Sequence, residues 1–265
     1  MDVAKIGVIG GSGFYSLIEG AEERNIDTEF GNPSDMVSIA EISGKKVAFV
    51  PRHGRRHSLP PHKVPYKANI EALRKLGVER IISVAAIGSL NKHYAPGDLV
   101  IFDQYANMTS GRDDTFFHSG KAVHISQAEP YCKEMRALAS ASASSAGLKF
   151  HDSGSVVVIN GPRFSTKAES RFYGSQGFDT INMTQYPEVT LAREREICYL
   201  GIGIVTDYDV GLEAESGIKP VSAKEVSETF AKNIDKVKKL TVEITSRLPE
   251  KRTCECAAAL SSAMM

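Results

Sequence analysis

The chain has 265 residues, and 32 Lys and Arg stand against 32 Asp and Glu for a formal net charge of zero. That balance supplies no field for gripping a polyanion, which sets nucleic acid aside as a partner. Its longest apolar runs, such as Ile81 to Ile87, stop far short of the ~20 residues that span a bilayer, so no membrane partner is expected either.

A chain of this length buries a sizeable core without metals or staples, and one domain over residues 1–265 is expected. The first strand, Ala4 to Gly10, leaves no room before it for the basic and apolar regions of a signal peptide, which predicts a cytoplasmic location. Further short β-branched runs predict strands at Met36 to Ile42 and Lys46 to Val50, joined by a turn at Ser43-Gly44-Lys45. Helical spacing predicts a helix over Val64 to Leu76, ended by Gly77 and followed by a strand at Arg80 to Ala86. Strands at Asp98 to Phe102, Ser153 to Ile159, Thr180 to Asn182 and Ile197 to Thr206 alternate with helices at Glu129 to Ala146, Ser165 to Ser175 and Pro187 to Glu196. Gly201 and Gly203 inside the last strand suggest a close approach by another backbone, or plain sheet packing. Val221 to Arg247 reads as one long amphipathic helix with Val226, Phe230, Ile234, Val237, Leu240 and Ile244 on its stripe, capped by Ser222 in a box with Glu225. A short tail carrying Cys254 and Cys256 follows on the surface. The alternation implies an α/β fold with a central mixed β-sheet flanked by helices.

Four segments can carry chemistry. Gly10-Gly11-Ser12-Gly13 follows a strand, so its backbone amides and the Ser12 hydroxyl suit an anion. A dinucleotide fingerprint fails there, because Ser16 stands where the third glycine belongs, and a plain tight turn is the remaining alternative. Arg52 and His53 follow another strand, where the Arg52 fork can clamp an oxyanion. His53, His57 and His62 also raise a metal reading, but with no Cys or carboxylate in the segment and three arginines beside them metal is set aside; an exposed basic loop is the bland alternative. Phe164 can stack on a planar ring or fill the core, and Asn182-Met183-Thr184 suits a sugar with one apolar face or simply caps a strand end. Asp207 and Asp209 alternate with Tyr208 and face the same side if the strand continues; mutual repulsion would then raise one pKa and make a general acid, unless both are solvated loop acids.

In combination these segments resemble the purine nucleoside phosphorylase superfamily, within it the trimer-forming branch. The likeness rests on Ile9-Gly10-Gly11-Ser12-Gly13, Arg52-His53-Gly54, Tyr66-Lys67-Ala68-Asn69, Gly88-Ser89-Leu90, Pro96-Gly97-Asp98, Ala128-Glu129-Pro130-Tyr131, Gly161-Pro162-Arg163-Phe164, Asn182-Met183-Thr184 with Pro187-Glu188, and Thr206-Asp207-Tyr208-Asp209. It implies attack of inorganic phosphate on C1′ of 5′-methylthioadenosine, releasing adenine, in purine and methionine salvage. It also implies no cofactor beyond phosphate as co-substrate, no metal, and a homotrimer or a hexamer built of trimers. By the same likeness Ser12, Arg52, His53, Ala85 and Thr184 are phosphate positions. Ala86, Phe164, Asn182 and Met183 meet base and ribose, while Asp207 and Asp209 address N7 and the 6-amino group, so that Asp207, Arg52 and His53 are the catalytic set. His57 looks toward the 5′ substituent, and His124 resembles a residue lent by a neighbouring subunit. Ala85 departs from the pattern, which has Thr or Ser there, and one neutral hydrogen bond of about 1 kcal/mol is missing.

A phosphorylase of 6-oxopurine nucleosides is the nearest rival, but a carboxylate accepts from an amino group and repels a carbonyl oxygen, which favours adenine. A non-catalytic nucleotide-binding module would have no use for the whole phosphate set. The Cys-x-Cys tail resembles that of some archaeal members, which implies a Cys254–Cys256 bridge and one between Cys132 and Cys198; four buried reduced thiols are the alternative.

Overall fold

The computed structural model describes residues 3–120, 122–210, 212 and 221–264. In chain order the elements are β1 Ile6–Gly10, β2 Glu22–Arg24, β3 Val37–Ile42, β4 Lys45–Pro51, α1 Tyr66–Lys75, β5 Arg80–Ser89, β6 Leu99–Ile101 and β7 Gln104–Met108. They continue with α2 Lys133–Ser145, β8 Phe150–His151, β9 Ser155–Ile159, α3 Lys167–Ser175, β10 Thr180–Asn182, α4 Gln185–Glu194, β11 Cys198–Asp207 and α5 Ala223–Arg247.

The two longest apolar runs, β5 and β11, are buried almost throughout and lie side by side in parallel, as strands covered on both faces do. β1 runs parallel to β5 on the other side and to β4 beyond it, so β4, β1, β5 and β11 point their C-terminal ends the same way. The β3–β4 hairpin is antiparallel and turns at Ser43 and Gly44, both at positive φ. Beyond β1's reach the end of β5 takes β10 as an antiparallel partner at Gly88 and Ser89, and β10 continues the sheet through β9 to β7. The sheet is mixed, as expected. One face buries Ile9, Val50, Ile70, Leu73, Ile81 and Val189 with α1 and α4, and the other buries Val8, Phe49, Ile82, Leu200, Met135 and Leu240 with α2 and α5.

Three strands escaped the sequence reading. β2 and β7 are short, polar and largely exposed, and β8 has two residues, so none shows the apolar period that marks a strand. Ser222 caps α5 by accepting from the Glu225 N–H, but its hydroxyl donates to the Glu225 carboxylate, so the reciprocal half of the expected box goes to the side chain. The full box forms instead at α3, between Thr166 and Glu169. Val226 and Phe230 are only partly covered, and the buried stripe of α5 begins at Asn233.

Gly201 and Gly203 make room for side chains, not for a backbone. A Cβ on Gly203 would stand 2.4 Å from Ile87 Cδ1 and 2.8 Å from Phe102 Cζ, and one on Gly201 2.7 Å from Phe102 Cδ2 and 2.8 Å from Tyr131 Cε1. Gly203→Ala should therefore destabilise the fold by about 1–3 kcal/mol through overpacking, read as a lower urea midpoint at unchanged slope. Wild-type stability in that variant would show that the Phe102 and Ile87 packing gives way freely.

Candidate active site

The parallel strands β4, β1, β5 and β11 end at one rim of the sheet, where open α/β sheets receive ligands. Arg52 leaves β4 directly after Pro51, and its backbone N–H donates to Gly10 O at 3.0 Å, which sets it beside the turn that opens at Gly11 and carries Ser12. Its side chain is buried and held bidentately by Glu188 of α4, Nε to Oε2 at 2.7 Å and Nη2 to Oε1 at 2.8 Å. Nη2 also donates to Ser83 Oγ at 2.6 Å and Nη1 to Val84 O at 2.8 Å. Of the five N–H groups on a guanidinium, four are thus taken. One N–H at Nη1 is left for an anion, so Arg52 offers charge and a single donor in place of the open fork that the sequence suggested. Burial opposes both charges, but each partner outweighs it: Glu188 holds Arg52 above its ordinary pKa, and Arg52 holds Glu188 below. Tyr199 OH donates to the same carboxylate at 2.6 Å.

His53 stands next to this pair. Its Nδ1 lies 2.8 Å from Leu59 O, which assigns the proton to Nδ1 and leaves Nε2 an acceptor facing whatever binds. Burial first, and then the Arg52 charge, depress its pKa to about 4, so the ring is neutral at pH 7. His57, at positive φ, stacks on it with ring centroids 4.6 Å apart. Among the described residues no metal-binding trio forms around these histidines. Ala85 follows Val84 in β5, next to the carbonyl that Arg52 holds, and Ala86 comes after it.

Thr184 is buried at the N-terminus of α4, and Asn182 Oδ1 accepts from the Thr184 and Gln185 N–H groups at 3.1 and 3.3 Å. Gln185 in turn reaches Ser83 Oγ at 3.4 Å, tying this corner to the Arg52 network. Met183 lies against Gly161, where a Cβ would meet its Sδ at 2.6 Å; with φ at +64° that position needs glycine twice over. Arg112 secures both segments by donating to Met183 O at 2.8 Å and Asn160 O at 3.1 Å.

At the end of β11, Asp207 pairs with Gly88 of β5, and a Cβ there would stand 3.0 Å from Asp207 Oδ1. The strand ends at Asp207, so the two acids do not share a face by alternation. A turn with Asp209 at φ +47° folds back, and the Asp209 N–H donates to Asp207 Oδ1 at 2.8 Å. Thr206 Oγ1 donates to Oδ2 at 2.7 Å. The Asp207 pKa rises to about 6, and burial causes it; the two hydrogen bonds pull it back, and the Asp209 charge adds a minor push. The mutual repulsion expected from sequence is thus a secondary contribution. Asp209 is buried and takes a hydrogen bond from Ser165 Oγ at 2.5 Å, which draws the Phe164 loop to the acids. Phe164 itself is 36% exposed, so it is no core residue. The backbone N–H of His124 donates to Ala263 O of the tail at 2.8 Å, away from the rim residues described above.

Sequence reasoning assigned no role to Glu188, Ser83, Tyr199 and Arg112. Glu188 entered only as part of the Pro187-Glu188 motif: it sits in the first turn of α4, where an acid is common, so its residue type did not mark it as the partner of a buried cation. The four cysteines are free thiols, so neither expected bridge is formed, and Cys198 and Cys254, 3.3 Å apart, belong to different expected pairs.

The arrangement is a buried guanidinium with a neutral imidazole beside it at one part of the rim and a carboxyl of raised pKa at another, with the exposed Phe164 ring on the loop that bonds Asp209. Residues 5–246 match the model of the phosphorylase superfamily. Over its full length the chain is 51% identical to the S-methyl-5′-thioadenosine phosphorylase of Thermofilum pendens, covering all of both. It is 49% identical to that of Pyrococcus abyssi, over 97% of this chain and 98% of the other. A methylthioadenosine phosphorylase of Schistosoma mansoni, solved in complex with adenine, superposes with a TM-score of 0.93 at 34% identity over 99% of each chain. With the same rim of parallel strands and a match across nearly its whole length, this chain belongs to the phosphorylase superfamily.

Proposed function

We propose that the chain catalyses phosphorolysis of 5′-methylthioadenosine in purine and methionine salvage. A phosphate oxygen bonds to C1′ as the C1′–N9 bond breaks; adenine leaves with the bond's electrons and takes a proton at N7, and the other product is 5-methylthioribose 1-phosphate. The observation that carries this reading is Asp207, a carboxyl held near pKa 6 at the end of β11. The Arg52 guanidinium is held at Val84 of β5, and Asp207 lies beside Gly88 of the same strand, four residues or about 13 Å further along, a reach suited to a nucleoside with phosphate beneath its sugar. Charge develops as a cation on the sugar and an anion on the base, so an anion below the ring and a proton donor beside the base both act in the transition state. Arg52, His53, Ser12 and Thr184 make the phosphate corner with Ala85 as its bare position, and Phe164, Met183, Asn182 and Ala86 line base and ribose. Asp209 serves the 6-amino group, His57 faces the 5′ end, and His124 reaches a neighbouring subunit's 5′ pocket in a homotrimer or hexamer. Phosphate is the co-substrate, no further cofactor enters, and the reaction is placed in the cytoplasm; no described helix is long and apolar enough to cross a membrane.

The reading is tested by phosphate-dependent base release from methylthioadenosine, adenosine and inosine in parallel. Adenine release from methylthioadenosine, absent without phosphate, is the expected result, and faster release from inosine would favour a 6-oxopurine enzyme. At saturating phosphate, kcat/KM for methylthioadenosine should fall as pH rises above about 6, because the acid form of Asp207 is lost. Asp207→Asn should flatten that limb and lower kcat by 10² to 10⁴ or so while keeping the shape of the site. Near-normal turnover in that variant would mean that adenine receives its proton elsewhere.

His53 gives a separate expectation. A neutral imidazole whose Nδ1 proton is committed to Leu59 can only accept at Nε2, so the bound phosphate must bring a proton. The phosphate KM should rise with pH once the dianion dominates in solution, by up to about tenfold per unit, and His53→Ala should flatten the rise. A pH-independent KM in the wild type would place the proton on Nε2 instead.

A further inference from the structure

The four cysteines come from three separated parts of the chain. Cys132 is the N-cap of α2, Cys198 opens β11, and Cys254 and Cys256 flank and enter a 3-10 turn of the tail. Their sulfurs all lie within 4.8 Å of one another. Cys132, Cys198 and Cys256 are buried and Cys254 half-buried. We propose that they form a tetrahedral four-thiolate site for one zinc ion, which clasps the C-terminal tail to the body of the domain.

The geometry fits that ion. Zinc–sulfur bonds of about 2.3 Å at tetrahedral angles put sulfurs about 3.8 Å apart, and four mutually close sulfurs need only a small adjustment to reach it. A set of four soft sulfur ligands with no oxygen or imidazole among them selects zinc over magnesium or calcium. The two expected pairs do not stand apart, since Cys198 and Cys254, 3.3 Å from each other, belong to different ones. A single centre uses all four. Binding replaces four S–H bonds by four Zn–S bonds and releases four protons, leaving the centre with two net negative charges.

The tail is held in place without the ion, so the ligands are preorganised. Arg252 Nη1 donates to Glu196 O at 2.7 Å, the Thr253 N–H to Glu134 Oε2 at 3.0 Å, and the Leu260 N–H to Glu196 Oε1 at 3.1 Å. Cys198 and Asp207 are opposite ends of β11, about 30 Å apart at the rise of a strand, so the centre is structural and takes no part in the reaction. It lies on the same tail that bonds His124 through Ala263 and pairs Met264 with Val123.

The test uses tag-free protein made in zinc-supplemented medium and handled without oxygen. Elemental analysis should find about one zinc per chain, and denaturation in alkylating reagent without reductant should give four modified cysteines. Exchange with cobalt(II) should produce sulfur-to-cobalt charge-transfer absorption. Cys254→Ser with Cys256→Ser should bind less than about a tenth as much zinc while keeping the wild-type circular dichroism, because only the tail loses its anchor. An unreduced mass showing one or two disulfides, four free thiols with no metal, or iron in place of zinc would each overturn the proposal.

Discussion

The buried Arg52–Glu188 pair is the contact on which the active-site rim depends. It joins the end of β4 to α4, takes in Ser83 and Val84 of β5, and reaches Tyr199 of β11. Two ions brought out of water are costly, and their attraction repays that only where the remaining donors and acceptors are filled as well. Here nearly all are filled, with one N–H of Arg52 left over. The pair consequently fixes the anion corner in space and reserves a positive charge for it, at the cost of most of the guanidinium's hydrogen-bonding capacity.

The two ends of the long central strands have different tasks. At the C-terminal ends the sheet forks: β10 and β11 lie on either side of Gly88, and the crowding there presses Asp207 into a site dry enough to raise its pKa. At the N-terminal end of β11, Cys198 meets the other three thiols. Between them Gly201 and Gly203 leave room for Phe102 and Ile87, which pack directly on the strand.

Much of this was legible in the sequence. Apolar runs bounded by Gly or Pro gave away every long buried strand, because burial on both faces writes itself as composition. The polar edge strands β2 and β7 were not legible, since hydrogen bonding to a neighbour leaves no mark on an exposed Gln-Tyr-Ala-Asn-Met. Asp207 and His53 were visible as residue types at strand ends, and Phe164 as an aromatic ahead of a helix. Their states were not: the Arg52 fork is committed to partners 32 and 136 positions away, and the neutral His53 and the raised Asp207 follow chiefly from burial, which only the folded chain supplies. Motif resemblance pointed to Arg52 and His53, which the fold sets side by side, but said nothing of Glu188's grip on Arg52, and the likeness behind the expected disulfides paired sulfurs that the fold gathers into one cluster.

The central claim is that Glu188 serves the phosphate corner through Arg52 and has no separate part in it. A double-mutant cycle of Arg52→Met and Glu188→Leu, reading urea stability and phosphate KM on the same samples, tests it most directly. Each single change should cost about 3–5 kcal/mol by stranding a buried charge, and the double change should cost far less than the sum, since an apolar pair replaces an ion pair. The phosphate KM of the double variant should stay as poor as that of Arg52→Met. Additive stability losses, or a normal phosphate KM without Arg52, would contradict the account.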